Sequence, residues 1–314
     1  MSIDPLRPRR PLNTTPLSQR PSKVRDADLA RPVAPTASLA EFLDSLPDLL
    51  AVRSMREVAA AILDARAAGK PVILGCGAHV VKAGLSPLVI DWLERGLVTG
   101  IAVNGAFVLH DAEIALGGAT SENVEEALPG GTFGVTDETN GFVNDAVAGR
   151  GPELGVGAAV GQALAARDGL VRPEHSVALA CARLGLPLTV TVAIGTDVNH
   201  MHPGFDGAAW GAASLRDFDT FVDEVAGLDS GGVFLLAGSA VLLPEVFLKA
   251  LALLSNVGRA PRDFVSADFD MLSHYRALTQ VFDRPKLFGA KTYFVQAPHE
   301  LALPVLGAML GRSK

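Results

Sequence analysis

The chain has 314 residues, 49% apolar, 19% charged and 6% aromatic, a balance that supplies a large core rich in Ala, Val and Leu and excludes disorder throughout. Its formal charge is −7, and the folded part carries no basic cluster to neutralise phosphates, which argues against a nucleic-acid partner and suits a small cationic substrate. The two cysteines, Cys76 and Cys181, are too far apart for a disulfide framework or a zinc ribbon and read as reduced thiols of a cytoplasmic protein.

Seven of the 20 prolines fall in the first 35 residues, mixed with Arg, Ser and Thr, so 1–37 is expected to be a flexible, extended arm without a signal-peptide core. From Ser38, "SLAEFLDSLPDLL" and "SMREVAAAILDARAAG" place apolar residues at helical spacing, the second stopping at Gly69. "PVILGCGAH", "SPLVIDWLERG" and "VTGIAVNGA" then read as strand, helix and strand, and residues 109–183 as mainly helical with Gly-rich joints. Four further strands are predicted in "LPLTVTVAIGTD", "GGVFLLAGSA", "DFVSADFD" and "AKTYFVQAP". "SLRDFDTFVDEVAGL" and "LLPEVFLKALALLSNVG" are intervening helices, and "HELALPVLGAML" closes the chain. The expected fold is therefore α/β: residues 38–314 form one domain, a doubly wound, mostly parallel sheet with helices on both faces. Ligands of such sheets bind at the carboxyl ends of strands. No membrane partner is expected, because the best apolar run, "VFLLAGSAVLLPEVFL", is interrupted by Gly238, Pro244 and Glu245.

Five of the seven histidines, His79, His110, His200, His202 and His299, fall on or beside the strand-end loops. Gly75 and Gly77 follow the first strand, but Val80 stands where a GxGxxG fingerprint has its third glycine, so the pair serves either a dinucleotide or a tight turn. Gly238 and Ser239 end a buried strand directly before a helix, whose free N–H groups suit a pyrophosphate. If the chain is helical by His110, Asp111 and Glu113 diverge by roughly 200°, one facing the cleft and the other capping or solvating the helix. In "GTDVNHMHP", Asp197, His200 and His202 allow three readings: metal ligation with His299 or His110 recruited, hydrogen bonding with acid/base work, or a satisfied polar loop. An extended backbone would put both imidazoles on one face. Glu122, Glu125 and Glu126 read as a solvated helix face, and no nucleophile elbow, Walker loop, kinase signature or HExxH helix is present.

In this order the segments resemble the deoxyhypusine synthase superfamily over most of residues 55–310. The likeness is carried by "PVILGCGAHVVKAGLSPLVIDWLERGLVTGIAVNGAFVLHDAEIAL", "LPLTVTVAIGTDVNHMHP", "GGVFLLAGSAVLLPEVFLKAL", "VSADFD" and "TYFVQAP". The resemblance implies an NAD-binding fold with contacts near His79, Asn104, Gly105, Gly238, Ser239, Ser266, Ala267, Gln296 and Ala297, and Asp197 as the carboxylate that holds an amine. Family members oxidise a polyamine with NAD and transfer an aminobutyl group, as transferases, often through an enzyme lysine. Lys286 is the candidate here, but "YRALTQVFDRPKLFGAKTY" lacks the family's Gly- and Trp-containing context, and Leu242, Leu243 and Pro244 stand where a histidine is expected.

The resemblance thus implies an NAD-dependent transferase or lyase that oxidises a small amine or amino acid to an imine for transfer, cyclisation or hydrolysis. In it Asp197 holds the cation and His200, His202 or His110 moves protons, with no resident metal and with a homo-oligomer, a tetramer by resemblance, as the assembly. The alternatives are a metal-dependent hydrolase or lyase built on Asp197, His200 and His202, and a non-catalytic nucleotide-binding protein.

Overall fold

The computed structural model describes residues 13–311; positions 1–12 of the expected arm lie outside them. The chain divides into two compact units, Met1–Leu50 and Ala51–Lys314. The sequence places the boundary at 37, whereas the first unit continues through a helix, α1 (Leu39–Ser45), preceded by 3-10 turns at Leu17–Gln19 and Asp26–Asp28. Ser38 and Glu41 close a capping box on α1: the Ser38 N–H donates to the Glu41 carboxylate at 2.7 Å, and the Glu41 N–H donates to Ser38 Oγ at 3.3 Å. The segment folds back on itself through Arg31 N–H to Ser45 O, 2.9 Å, and Asp48 N–H to Asp28 O, 3.0 Å.

The second unit takes in all but the first residue of α2 (Leu50–Ala67) and continues through β1 (Val72–Cys76), α3 (His79–Lys82), α4 (Ser86–Glu94), β2 (Gly100–Asn104) and α5 (Gly105–Gly117). Four helices follow, α6 (Val124–Gly130), α7 (Asp137–Leu154), α8 (Val156–Ala165) and α9 (Val177–Leu184), before β3 (Leu188–Thr191). The remainder alternates: α10 (Gly207–Gly227), β4 (Val233–Ala237), α11 (Leu242–Asn256), β5 (Val265–Asp270), α12 (Tyr275–Ala277), β6 (Lys291–Gln296) and α13 (His299–Leu310). Between α12 and β6 the chain makes a π turn over Leu278–Asp283 and a 3-10 turn over Arg284–Phe288.

All six strands are parallel, in the order β3-β2-β1-β4-β5-β6. Parallel strands covered on both faces read as continuous apolar runs, and β1 and β4 are buried at every position. On one face Ile73, Ala102, Phe234 and Leu236 pack under Phe221 and Val225 of α10 and Phe247 and Leu251 of α11. Phe234 and Phe247 stack with ring centroids 4.0 Å apart, an arrangement that adds about 1 kcal/mol beyond the area buried. The alternate residues, Leu74, Cys76, Leu235 and Phe269, are buried on the opposite face.

The edge strand β3 is closed by α8 and α10. A Cβ on Gly157 would lie 1.8 Å from Leu188 O, so glycine lets α8 lie against the strand. One Asp217 oxygen takes the N–H groups of Val190 and Val156, both at 2.9 Å, and of Gly157 at 3.3 Å, which removes an exposed edge donor of the kind that invites strand addition. Among the described residues no helix is long and apolar enough to cross a membrane.

Candidate functional site

The strand order reverses between β1 and β4, whose carboxyl ends lie side by side, the place where doubly wound sheets bind ligands. Gly77 N–H donates to Ala237 O at 3.1 Å, and a Cβ on Gly77 would stand 2.2 Å from Gly238 O. Gly238 has φ +66°, and a Cβ there would come within 3.0 Å of His299 Cε1. Both glycines are therefore required by the contact between the two turns. Leu243 N–H in the first turn of α11 donates to Ser239 Oγ at 3.3 Å, while Val241 at the N-cap offers no side-chain acceptor, which leaves that helix end suited to an anion.

His299, 1% exposed at the start of α13, closes the crevice from the β5 side. Its Nε2 lies 2.9 Å from Phe269 O, and its Nδ1 is buried without a partner. The ring of His79 meets it edge to face, with centroids 5.3 Å apart. Gly75 differs from its expected role: it lies inside β1, where a Cβ would press on Phe234 at 3.1 Å, so it makes room in the core and is not at the strand end.

A second patch lies over β2 and β3. Asn104 at the end of β2 caps α5, its Oδ1 accepting Phe107 N–H at 3.1 Å. Asp197 Oδ1 accepts Ala106 N–H at 3.1 Å, and Oδ2 is buried without a partner above Gly105, where a Cβ would stand 2.4 Å away. Burial pushes the Asp197 carboxyl up to about 6 against the pull of the Ala106 N–H. Asn199 is fully buried with neither side-chain atom partnered, and its carbonyl accepts Asn144 Nδ2 at 3.1 Å. Asn144 Oδ1 in turn accepts Trp210 Nε1 at 2.9 Å. His200 Nδ1 accepts Gly195 N–H at 2.9 Å, leaving Nε2 buried and unpartnered, and its ring packs on Phe205 and Trp210 at 4.8 and 6.0 Å between centroids. Burial lowers the pKa of His200, keeping the ring neutral at pH 7.

The expected His-x-His face does not form. Val198–Met201 is a 3-10 turn, not an extended segment, and His202 goes its own way, its Nδ1 accepting Gly204 N–H at 3.1 Å. Among the described residues no three His, Cys, Asp or Glu side chains are grouped to hold a metal ion. His110 Nδ1 lies 3.0 Å from Glu113 and 2.7 Å from Thr120 Oγ1, a cluster within α5 and its C-terminal loop. Asp111 caps a helix, but a distant one: it accepts Ser176 Oγ at 2.6 Å, Val177 N–H at 2.7 Å and Ala178 N–H at 3.1 Å at the start of α9.

Two placements near the chain's end are corrected. Ser266 and Ala267 are fully buried near the beginning of β5, where Ser266 Oγ donates to Val281 O at 2.7 Å; the strand runs on to Asp270, so they do not reach its carboxyl end. Gln296 and Ala297 do lie at the end of β6, where Ala297 N–H donates to Asp270 O at 3.0 Å. Lys286 belongs to the 3-10 turn that leads into the amino end of β6, opposite the crevice, with Nζ 3.0 Å from Asp283 and 3.8 Å from the Phe282 ring centroid.

Sequence reasoning passes over Asn140, Asn144, Asn199, Trp210 and Asp268. Asn140 and Asn144 stand one turn apart on α7, a polar pair at i, i+4 on the same buried face as Val143 and Val147, which is the available signal. Asp268 is fully buried in β5 with both oxygens unpartnered, and burial, with Asp270 adding to it, raises its carboxyl to about 7.

Fold and site together define a Rossmann-type α/β protein with a glycine-lined crevice at the switch point and a buried carboxylate two loops away. No protein-family model matches the chain, and no curated protein matches it. Solved structures do. A conserved LOR/SDH protein from Methanococcus maripaludis S2 is similar at a TM-score of 0.52 and 17% identity, covering 82% of this chain and 69% of that one. AgrE, in ternary complex with ornithine and NAD+, gives 0.51 and 15% identity over 82% of this chain and 32% of its own, so this chain spans about a third of AgrE. A protein assigned as a deoxyhypusine synthase from Entamoeba histolytica gives 0.48 and 10% identity over 92% and 96%. The fold of this chain is thus shared with the LOR/SDH protein and with AgrE.

Proposed function

We propose that the chain is an enzyme of the deoxyhypusine synthase-like group that uses NAD to oxidise a small amine or amino acid to an imine. The observation that carries this reading is Asp197, a buried carboxylate with one oxygen fixed on the amino end of α5 and the other without a partner. A buried acceptor left unmade is costly to the folded chain, and a ligand ammonium group satisfies it.

The switch-point crevice fits a dinucleotide: Gly77 and Gly238 keep it free of side chains, Ser239 and the start of α11 face a pyrophosphate, and His79 lies on its rim. From β4 to β2 is two strand spacings, roughly 10 Å, so one half of a dinucleotide laid across β1 reaches Asn104, Gly105 and Asp197, while Gln296 and Ala297 stand at the opposite end. Bound there, NAD supplies the acceptor for a hydride from the carbon that bears the nitrogen. The protein's own part is to hold the cation on Asp197, ionised above a pH of about 6, and to present the neutral Nε2–H of His200 and the amide of Asn199 to the rest of the substrate. AgrE, similar in fold, was solved with ornithine and NAD+, a pairing of the same chemical classes. With Lys286 at the far end of the sheet, cyclisation or hydrolysis of the imine is favoured over transfer through that lysine.

Calorimetric titration with NAD, followed by NADH formation over a panel of ornithine, arginine, lysine and spermidine, tests the reading. NAD binding with turnover of one panel member is expected, and Asp197→Asn keeps NAD affinity while losing amine affinity by at least ~10-fold. Absence of NAD binding by the unaltered chain would sink it.

A further inference from the structure

We propose that His299 recognises the adenosine half of the dinucleotide by accepting a hydrogen bond at Nδ1; this rests on the reading above. A carbonyl oxygen only accepts, so the 2.9 Å contact between His299 Nε2 and Phe269 O places the proton on Nε2. A neutral imidazole carrying its proton on Nε2 has a bare lone pair on Nδ1, and this atom is buried with no partner in a residue 1% exposed. Phe269 O also accepts Gly238 N–H at 3.3 Å, which locks the ring to the glycine turn itself.

The position selects which half of the ligand is read. Asp197, over β2 and β3, takes the side where the substrate and nicotinamide meet. His299 stands on the other side of the β1/β4 crevice, beside Gly238 and above the end of β5. A dinucleotide whose pyrophosphate lies between them turns its adenosine toward His299, where the donors on offer are the ribose hydroxyls and the adenine amino group. The His79 ring, half-buried and in edge contact with His299, is the side chain that a ligand entering from the crevice displaces.

The test separates the two jobs of the ring. His299→Gln keeps a donor for Phe269 O but has no acceptor at the Nδ1 position. Calorimetry on the purified full chain is expected to show ADP-ribose and NAD weakened by ~10-fold or more, nicotinamide mononucleotide unaltered and the melting temperature close to that of the parent. An analogue with hypoxanthine for adenine and one with a 2′,3′-dideoxyribose identify the donor, because the parent-to-variant ratio falls toward one for the analogue that lacks it. In 15N spectra, one imidazole Nδ1 absent from the His299→Gln protein is expected to carry no proton and to shift when ADP-ribose is added.

Equal ADP-ribose affinity in parent and variant, or weakening confined to nicotinamide mononucleotide, overturns the assignment while the dinucleotide reading stands. A parent that binds neither NAD nor ADP-ribose overturns both. Should His299→Gln fail to fold, His299→Asn, which retains an acceptor near Nδ1, decides: affinity within a few-fold of the parent supports the assignment, and loss of ADP-ribose binding by a folded variant removes it.

Discussion

Asp197 and Gly105 occupy one space: the carboxylate oxygen Oδ2 sits where a side chain at residue 105 would begin, 2.4 Å from an ideal Cβ. Gly105→Ala is therefore expected to displace the carboxylate and not to unfold the chain, because alanine is the better helix former by up to about 1 kcal/mol. Amine affinity should fall ~10-fold or more with the melting temperature within a few degrees of the parent. Unchanged amine affinity would show that the position of Asp197 is not critical.

Asp217 on α10 holds three backbone N–H groups, two from α8 and one from the edge strand β3 itself, and burial raises its carboxyl to about 7. Asp217→Ala leaves those donors buried and unpaired, a loss expected to reach about 3 kcal/mol or more, visible as a lower denaturant midpoint. Asp217→Asn retains an acceptor oxygen and should lose much less. Equal losses for the two variants would contradict the hydrogen-bonding account.

Binding of the amine should follow ionisation of Asp197. Its carboxyl, raised to about 6, is charged above that pH and neutral below, so amine affinity is expected to hold from pH 7 upward and to fall as pH drops through 6. In Asp197→Asn this dependence should vanish. A profile of substrate affinity against pH between 5 and 8 checks both.

Stability should run the other way. Asp111 and Asp197, raised to about 6, Asp217 and Asp268, raised to about 7, and Glu224, raised to about 8, all keep their protons longer in the folded chain than in the unfolded one. Such groups contribute fully below their unfolded values near 4, and the contribution is lost as pH climbs through the folded ones. His200, lowered by burial, opposes them. Urea unfolding is expected to show a lower midpoint at pH 8 than at pH 5.5. Asp268 alone accounts for about 2 kcal/mol of that difference, and Asp268→Asn should remove its share of the slope.

Lys286 sits at the amino end of the sheet in an exposed pair with Asp283. Lys286→Ala is expected to change stability by less than about 0.5 kcal/mol and turnover by less than twofold, measured by unfolding and by initial rates. A tenfold drop in turnover would return the lysine to the reaction.

The parts of this architecture that the sequence discloses are those with local causes. Buried parallel strands write themselves as apolar runs, and the touching turns at Gly77 and Gly238 can be filled only by glycine, so strands, switch point and crevice could be read in order. Long-range partners leave no such mark. The cap that Asp111 places on Val177 spans 66 positions, and no spacing rule connects them. A strand buried on both faces shows no alternation, so nothing in "VSADFD" marks that β5 runs on past Ser266 and Ala267 to Asp270. The His200 and His202 rings part company because a 3-10 turn replaces the extended backbone that would have aligned them, and each Nδ1 accepts a different backbone N–H, from Gly195 and from Gly204. Nearness in sequence to β6 does not tell one end of the sheet from the other, so Lys286 lies close along the chain and far from the crevice.

The unpartnered amide of Asn199 sets stability against function. Each of its side-chain groups is withdrawn from water with nothing in exchange, so Asn199→Leu, alike in branching and without polar atoms, should give a chain that melts later, provided the pocket takes the larger methyl groups, and binds its amine poorly. Selection for heat resistance alone would erase this pocket, and laboratory evolution of the chain toward thermostability, without a demand for activity, should find position 199 early.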